Sequence, residues 1–299
     1  MSRPQIAVCV CTFKRPQLLG RLLKVLVAQT TNSLFEHTIT VIDNDASESA
    51  KEVVVQHQKT SPVRITYHVE PEQNISLARN KALANSNGDY VAFIDDDEVP
   101  ETDWLLQMYQ TCDRYSVDGV LGPVLPSYEH TPPRWVQKGG FCDRPVHETG
   151  FKIDSREGRT GNLLIRREAV DSLHPPFRPE FGSGGEDRDF FRRLTGLGKN
   201  FVWCNEAPAY EWVPSLRLKR GFMIRRALLR GKMSLNQHGT VRDILESCVA
   251  IFVYTLSLPI FFLIGHHLFM KYLVKAFDHI GRLLAFVGLD PVRQKYVTE

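Results

Sequence analysis

Tyr90-Val91-Ala92-Phe93-Ile94-Asp95-Asp96-Asp97 is the stretch that decides the fold. Its five apolar residues read as a buried strand, and the strand runs straight into three consecutive carboxylates. Like charges this close repel one another, so the stretch is costly to fold unless something binds them. A divalent cation removes that cost, and hard oxygen ligands suit Mg2+ or Mn2+. Alternation along a strand points Asp95 and Asp97 one way and Asp96 the other, which makes Asp95 and Asp97 the expected ligand pair. Open α/β sheets bind ligands at the C-terminal ends of their strands. The alternative is an acidic turn that leaves through Glu98-Val99-Pro100.

Working outward, the first ~100 residues alternate strand and helix. Ile6 to Cys11 reads as a buried strand, and Pro16 suits an early helix position. Leu19, Leu22, Leu23 and Leu26 form the stripe of a helix packed on a sheet. Thr38 to Ile42 is a second strand, with a helix expected from about Ser47 to His57. Val63 to Val69 is a third strand, and Ile75 to Asn85 a helix stopped by Asn87-Gly88. The order predicts an α/β fold with a largely parallel sheet flanked by helices.

Beyond Pro100 the spacing predicts a helix from about Asp103 to Cys112 and a strand near Gly119 to Leu121. Residues 122–150 read as a long irregular segment, the kind that usually carries function. Asn162 to Ile165 is another expected strand, and Gly182-Ser183-Gly184-Gly185 opens a helix at Glu186-Asp187.

Composition bounds the reading. The chain has 299 residues, 43% hydrophobic and 24% charged, with a net charge of only +3. That balance points to no nucleic-acid partner. Yet Arg217, Lys219, Arg220, Arg225, Arg226, Arg230, Lys232 and Arg242 lie between Trp212 and Arg242 with no acid among them. The rest of the chain then holds 29 basic against 34 acidic residues, so the basic character is local. The six cysteines, Cys9, Cys11, Cys112, Cys142, Cys204 and Cys248, form no CxxC pair and no zinc spacing. Free thiols, and a start that leads directly into a strand, favour the cytosol.

Several polar residues fall at the same sheet edge. Asp43 closes the second strand; its carboxylate suits the N3–H of a uracil or thymine, or else caps the Asp43-Asn44-Asp45 turn. Thr12 and Arg15 follow the first strand and can meet base or phosphate, although Arg15 can equally be solvated. Arg79, on the helix begun by Asn74, can fork a phosphate or form a surface ion pair. Asp187 heads the apolar stripe of Phe190, Phe191 and Leu194, a position for a general base. Acids also complement a helix N-terminus, and Glu186 is read mainly in that way. Glu211, set among aromatic residues, reads as a paired or liganded carboxylate. Arg217 is a candidate for holding a diphosphate leaving group, or part of a solvated or membrane-facing basic stretch.

Taken together, Thr12-Phe13-Lys14-Arg15-Pro16, Val41-Ile42-Asp43-Asn44, Ala78-Arg79-Asn80, Phe93-Ile94-Asp95-Asp96-Asp97-Glu98 and Gly185-Glu186-Asp187 resemble the family 2 glycosyltransferases, of GT-A fold, over about residues 5 to 230. Thr160-Gly161-Asn162, Gly184-Gly185-Glu186-Asp187 and the Glu211 to Pro214 stretch resemble the succinoglycan-type glucosyltransferases of bacterial exopolysaccharide synthesis. The resemblance implies a metal-dependent, inverting transfer from a nucleotide-diphosphate sugar. Asp43 would bind the base, Asp95 and Asp97 the metal and diphosphate, and Asp187 would deprotonate the acceptor. Donor contacts are expected from Thr12, Arg15, Arg79, Asp96, Glu186 and Arg217 as well. Many relatives carry a histidine near the end of this domain; Glu211 stands in that place here and is expected as a further oxygen ligand of the metal.

Ser247 to Met270 contains no Asp, Glu, Lys or Arg, a run long enough to span a bilayer but interrupted by Pro259 and His266-His267. Beyond it, Lys271, Lys275, Asp278 and Arg282 share one helical face, and Leu273, Phe277, Ile280, Leu284 and Val287 another. Basic residues flank the run on both sides, which favours a monotopic arrangement with both ends cytosolic. A hairpin packed on protein is the alternative. The expected organisation is a catalytic domain over residues 1–230 and a membrane-associating helical segment over 231–299. It would sit on the cytoplasmic face of the inner membrane, acting on a polyprenyl-diphosphate-linked glycan, with oligomerisation left open. Rival functions are transfer to polyprenyl phosphate itself, nucleotidyl transfer, and a non-catalytic sugar-nucleotide sensor or scaffold.

Overall fold

The computed structural model describes residues 3–182, 184–238, 241–290 and 292; Ser183 of the glycine-rich loop lies outside the described residues. The chain divides into two compact units, residues 1–125 with 144–212, and residues 126–143 with 213–299.

The first unit is a mixed α/β fold. β1 (Gln5–Thr12), α1 (Pro16–Val27), β2 (Glu36–Asp43), α2 (Lys51–Thr60), β3 (Ile65–Val69), α3 (Ile75–Ala84) and β4 (Tyr90–Phe93) alternate in the order the sequence predicts. α2 starts later than expected because Asp43 draws the turn in: its carboxylate accepts from the backbone N–H of Asp45 at 3.2 Å and of Ala50 at 2.7 Å. β5 (Glu98–Pro100), α4 (Trp104–Tyr115) and β6 (Gly119–Leu121) follow; β7 (Val124–Tyr128) runs from the first unit's residues into the second's, and α5 (Arg134–Gly139) belongs to the second. The stretch expected to be irregular thus holds a strand and a short helix. β8 (Leu163–Arg166), α6 (Arg167–Asp171), α7 (Glu186–Gly196), β9 (Phe201–Trp203) and β10 (Ala209–Val213) complete the set.

Seven strands form one sheet in the order β3-β2-β1-β4-β8-β6-β9. β8 runs antiparallel to both of its neighbours, whereas the other pairings are parallel. Because β8 is reversed, its beginning lies at the edge where β1, β2 and β4 end. β10 pairs antiparallel with β5, setting Glu211 opposite Glu98.

Core packing follows the period of two along β1. Ile6, Val8 and Val10 lie with Leu19, Leu22, Leu23 and Leu26 of α1 and with Trp104, Leu105 and Met108 of α4. Cys9 lies in the other cluster, with Ala78 and Ala82 of α3 and Phe190, Phe191 and Leu194 of α7. Each fully buried leucine of the α1 stripe contributes about 1.5–3 kcal/mol, and truncating Leu22 to Ala would cost about 2–5 kcal/mol.

The second unit is helical. α8 (Arg220–His238), α9 (Val241–Ile264) and α10 (His266–Phe286) share it with α5. Val136, Leu218, Met223, Ala227, Met270 and Val274 form its core, and Trp135 packs edge-on against Phe141 and His266. A Cβ on Gly231 would fall 1.9 Å from the Asp278 carbonyl oxygen, so glycine is what lets α8 and α10 cross closely. Arg230 forks onto Asp278 across that crossing, at 3.0 and 2.8 Å. The expected break at Pro259 is absent: the proline is accommodated inside α9, and the chain breaks at Gly265 instead. Arg242–Ile264 is long and apolar enough to cross a membrane, with Val249, Phe252, Leu256, Ile260 and Leu263 exposed. That face fits membrane association.

Candidate active site

The site grows from the ends of the parallel strands. β4 stops at Phe93, so Asp95 to Asp97 form a turn and not a strand extension. Strand alternation therefore does not govern them. Asp96 and Asp97 share one cation: Arg15 Nη1 lies 3.1 Å from each carboxylate. Thr12, at the end of β1, donates its hydroxyl to Asp96 at 2.7 Å. Burial pushes the Asp96 pKa up to about 7, with Arg15 opposing and Asp97 adding to the rise.

Asp95 turns toward Arg79 instead, 3.6 Å from Nη2, with 46% of its side chain open. Recession into the protein, with Asp97 and Asp187 nearby, raises its pKa to about 6 against the pull of Arg79.

Arg79 is the centre of the arrangement. Its Nη1 donates to Glu186 at 2.6 Å and to Asp187 at 2.9 Å, and its guanidinium lies 5.5 Å over the Phe177 ring. Burial works against its charge, but Asp187, Glu186 and Asp95 more than compensate and hold it protonated. The helix that carries it is fixed by a relay of amides. Asn44 accepts from the Asn74 N–H at 3.0 Å, and Asn74 in turn caps α3 by accepting from Ser76 and Leu77. The glycine-rich loop closes on that cap. A Cβ on Gly182 would lie 1.9 Å from Asn74 Oδ1, so no larger residue fits. Gly185, at φ +93°, then turns the chain into α7 in a conformation that favours glycine.

Asp187 is therefore held at one oxygen. The fully buried Thr160 donates to Oδ1 at 2.6 Å, beside the Arg79 contact, and among the described residues Oδ2 receives no bond. The next residue, Gly161, sits against two carboxylates. A Cβ there would fall 2.8 Å from Glu98 Oε1 and 3.0 Å from Asp95 Oδ2. Asn162, at φ +59°, anchors this turn by accepting from Trp104 Nε1 at 2.6 Å and donating to the Pro123 and Ala207 carbonyls.

Glu186 is more than a helix-dipole residue. It is buried on Arg79, its Oε2 has no partner among the described residues, and burial with Asp187 close by lifts its pKa to about 7. Glu211 pairs with Arg144, which also stands 4.0 Å from Glu98. Glu98 is wholly buried, among the described residues neither of its oxygens is hydrogen-bonded, and burial together with Asp95 raises its pKa well above the ordinary range. Asp43 is also buried. Tyr67 donates to it at 2.9 Å beside the two loop amides, and burial raises its pKa against those bonds. Arg217 belongs to the second unit, on the turn Ser215–Leu218.

The fold thus gathers Thr12, Arg15, Arg79, Asp95, Asp96, Asp97, Glu186 and Asp187 into one acidic, arginine-bridged cluster. Sequence reasoning missed Glu98, Arg144 and Thr160 as members. The Thr160-Gly161-Asn162 motif was the available signal for one of them, but its place depends on the reversal of β8. Among the described residues, no group of three or more His, Cys, Asp or Glu is spaced to hold a metal ion by itself. Asp95, with nearly half of its side chain open, and Asp97 supply hard oxygens that fit a cation taking its other ligands from water and substrate phosphates.

A model of the family described as glycosyl transferase family 2 matches residues 7–173. The succinoglycan biosynthesis protein ExoM of Rhizobium meliloti (strain 1021) is 38% identical over 229 residues, 76% of this chain and 73% of that protein. A glucosyl-dolichyl phosphate glucuronosyltransferase of Haloferax volcanii is 26% identical over 212 residues, 68% of this chain and 61% of that protein. Among solved structures, S. aureus TarS 1-349 in complex with UDP aligns with a TM-score of 0.56 at 17% identity, covering 97% of this chain and 94% of that one. A longer TarS structure is covered over 39% of its length. At such identity the likeness is one of fold.

Proposed function

The chain belongs to glycosyl transferase family 2, and we propose that it moves a sugar, with inversion, from a UDP-sugar to a hydroxyl of a polyprenyl-diphosphate-linked glycan in bacterial surface or exopolysaccharide synthesis. The observation that carries this reading is Asp187, fixed at Oδ1 by Thr160 and Arg79 with Oδ2 left to accept a proton, in one cluster with Asp95.

In this reading the acceptor hydroxyl gives its proton to Asp187 Oδ2. The acceptor oxygen bonds to the anomeric carbon as the bond to the diphosphate oxygen breaks, and the nucleoside diphosphate leaves. Thr160 and Arg79 aim the base. Asp95 and Asp97 would hold Mg2+ or Mn2+, which supplies neutralising charge for the departing diphosphate. Glu211 serves that region through its pair with Arg144, and a direct oxygen contact to the metal requires that pair to open. Asp43 has about four acceptor positions and three donors on it, which leaves one for a base N–H. The bound UDP of TarS and the lipid-phosphate name of the Haloferax volcanii relative support the donor and acceptor classes. The exposed apolar face of α9 and the basic residues from Arg217 to Arg242 support a monotopic seat on the cytoplasmic membrane face.

Calorimetry tests it directly. UDP, TDP and GDP are titrated with Mn2+ or EDTA into wild type and Asp97→Asn. Metal-dependent UDP binding that the variant loses is expected. Folded wild-type protein that binds none of the three would overturn the reading and favour a scaffold.

A further inference from the structure

Three arginines are committed to the carboxylates of this cluster, and a fourth, Arg159, directly precedes the Thr160 that bonds Asp187. Arg15 serves Asp96 and Asp97, Arg79 serves Glu186, Asp187 and Asp95, and Arg144 serves Glu211 and Glu98. Arg159 is different. Among the described residues its guanidinium makes no hydrogen bond or ion pair, and its Nε is buried without a partner.

Arginines with a purely structural task in this protein look otherwise. Arg166 donates to the Val117 carbonyl, Arg167 to those of Ser86 and Leu83, and Arg193 to Pro175 and Pro176. Leaving the donors of a half-buried guanidinium unused is costly, so the position of Arg159 calls for an acceptor from outside the chain.

The surroundings hold it ready. A Cβ on Gly158 would lie 2.1 Å from the Phe191 ring, so this backbone passes as close to α7 as a glycine allows. On the other side, Thr160 is pinned to Asp187. The guanidinium rests 5.8 Å over the Trp203 ring. Burial and the charge of Arg144 lower its pKa, while Glu98, Asp187 and Glu211 act the other way.

We infer that Arg159 is the residue that receives a phosphate oxygen of a bound substrate, an inference that rests on the glycosyl-transfer reading. A planar fork of donors suits phosphate, and among the described residues no ion pair ties Arg159 to a protein carboxylate. The phosphate has two sources, the diphosphate of the nucleotide sugar or that of the acceptor's polyprenyl carrier. In either case Arg159 neutralises negative charge next to the base.

The test compares wild type, Arg159→Gln and Arg159→Lys. Calorimetry with Mn2+ uses UDP and, as the phosphate-free control, uridine. Co-sedimentation uses neutral phospholipid vesicles with or without polyprenyl diphosphate. A nucleotide source predicts UDP binding weakened about tenfold or more in Gln and partly kept in Lys, with uridine binding unchanged. A carrier source predicts unchanged UDP binding and loss of the extra affinity for polyprenyl-diphosphate vesicles. Unchanged binding of both, or equal loss of UDP and uridine, overturns the inference. Should Gln fail to fold, Lys, which keeps the charge but not the fork, is judged by the same ratios. Wild type that binds no UDP fails the glycosyl-transfer reading itself, and this inference with it, before any variant is compared.

Discussion

In the proposed mechanism, replacing Thr160 by Val isolates the positioning of the base. The two side chains have nearly the same shape, so the exchange removes one hydroxyl from a fully buried site and little else. The lost interaction is the 2.6 Å bond to Asp187 Oδ1. Hydrogen bonds to charged groups contribute about 1.5–3 kcal/mol. Asp187 keeps 29% of its side chain open and retains the Arg79 contact on the same oxygen, so the lower part of that range applies. A loss of about 1–2 kcal/mol of transition-state stabilisation corresponds to roughly a 5- to 30-fold fall in kcat. Initial rates of UDP release at saturating donor and acceptor measure it, with calorimetry of UDP and thermal unfolding run alongside. The expected pattern is reduced kcat, UDP affinity within about twofold of wild type, and recovery of most activity in Thr160→Ser. Unchanged kcat in a protein that Asp187→Asn disables would refute the claim that Thr160 aims the base. A fall in UDP affinity that matches the fall in rate would refute it as well.

Other outcomes follow from the same geometry. Asp187→Asn should lower kcat by about 10²–10⁴ while UDP still binds; a tolerant enzyme would instead point to an anionic polyprenyl phosphate acceptor that needs no base. The raised pKa values of Asp95, about 6, and of Asp96 and Glu186, about 7, mean that the folded state binds more protons than the unfolded one between about pH 4 and 7. In EDTA, this contribution to stability therefore declines as pH rises through that window, and Asp96→Asn should flatten the dependence of Tm on pH. The same protonation should make Mn2+-dependent UDP binding weaken as pH falls through about 6. Trp104→Phe strands the buried Asn162 Oδ1 and should cost about 1–3 kcal/mol by chemical denaturation. On the second unit, Leu263→Arg should reduce salt-resistant binding to anionic vesicles; full retention would argue that α9 does not insert.

How much of this was legible in the sequence depended on range. The strand-helix alternation through β4, the leucine stripe of α1 and the acids that end β2 and β4 are local signals. Each is fixed by a repeat of two or 3.6 residues, or by a turn residue, and the fold matched them. Local rules say less where their premise lapses. Alternation paired Asp95 with Asp97, but β4 ends before them, and the turn gives Asp96 and Asp97 to Arg15 and Asp95 to Arg79. Pro259 read as an interruption, yet one missing N–H donor is tolerated within a long helix.

Local signals in the chain are enough to place carboxylates at the ends of a parallel sheet and another on a glycine-led acidic helix. Which groups meet is settled by the packing of the whole fold. Arg79 reaches Glu186 and Asp187 across 107 and 108 residues, and Arg144 reaches Glu211 across 67. Thr160 reaches Asp187 because β8 enters the sheet reversed and begins where the parallel strands end. No short-range periodicity encodes that reversal. It follows from which strand edges and apolar faces remain to be covered once the first four strands have paired, and so it appears only when the whole sheet is closed.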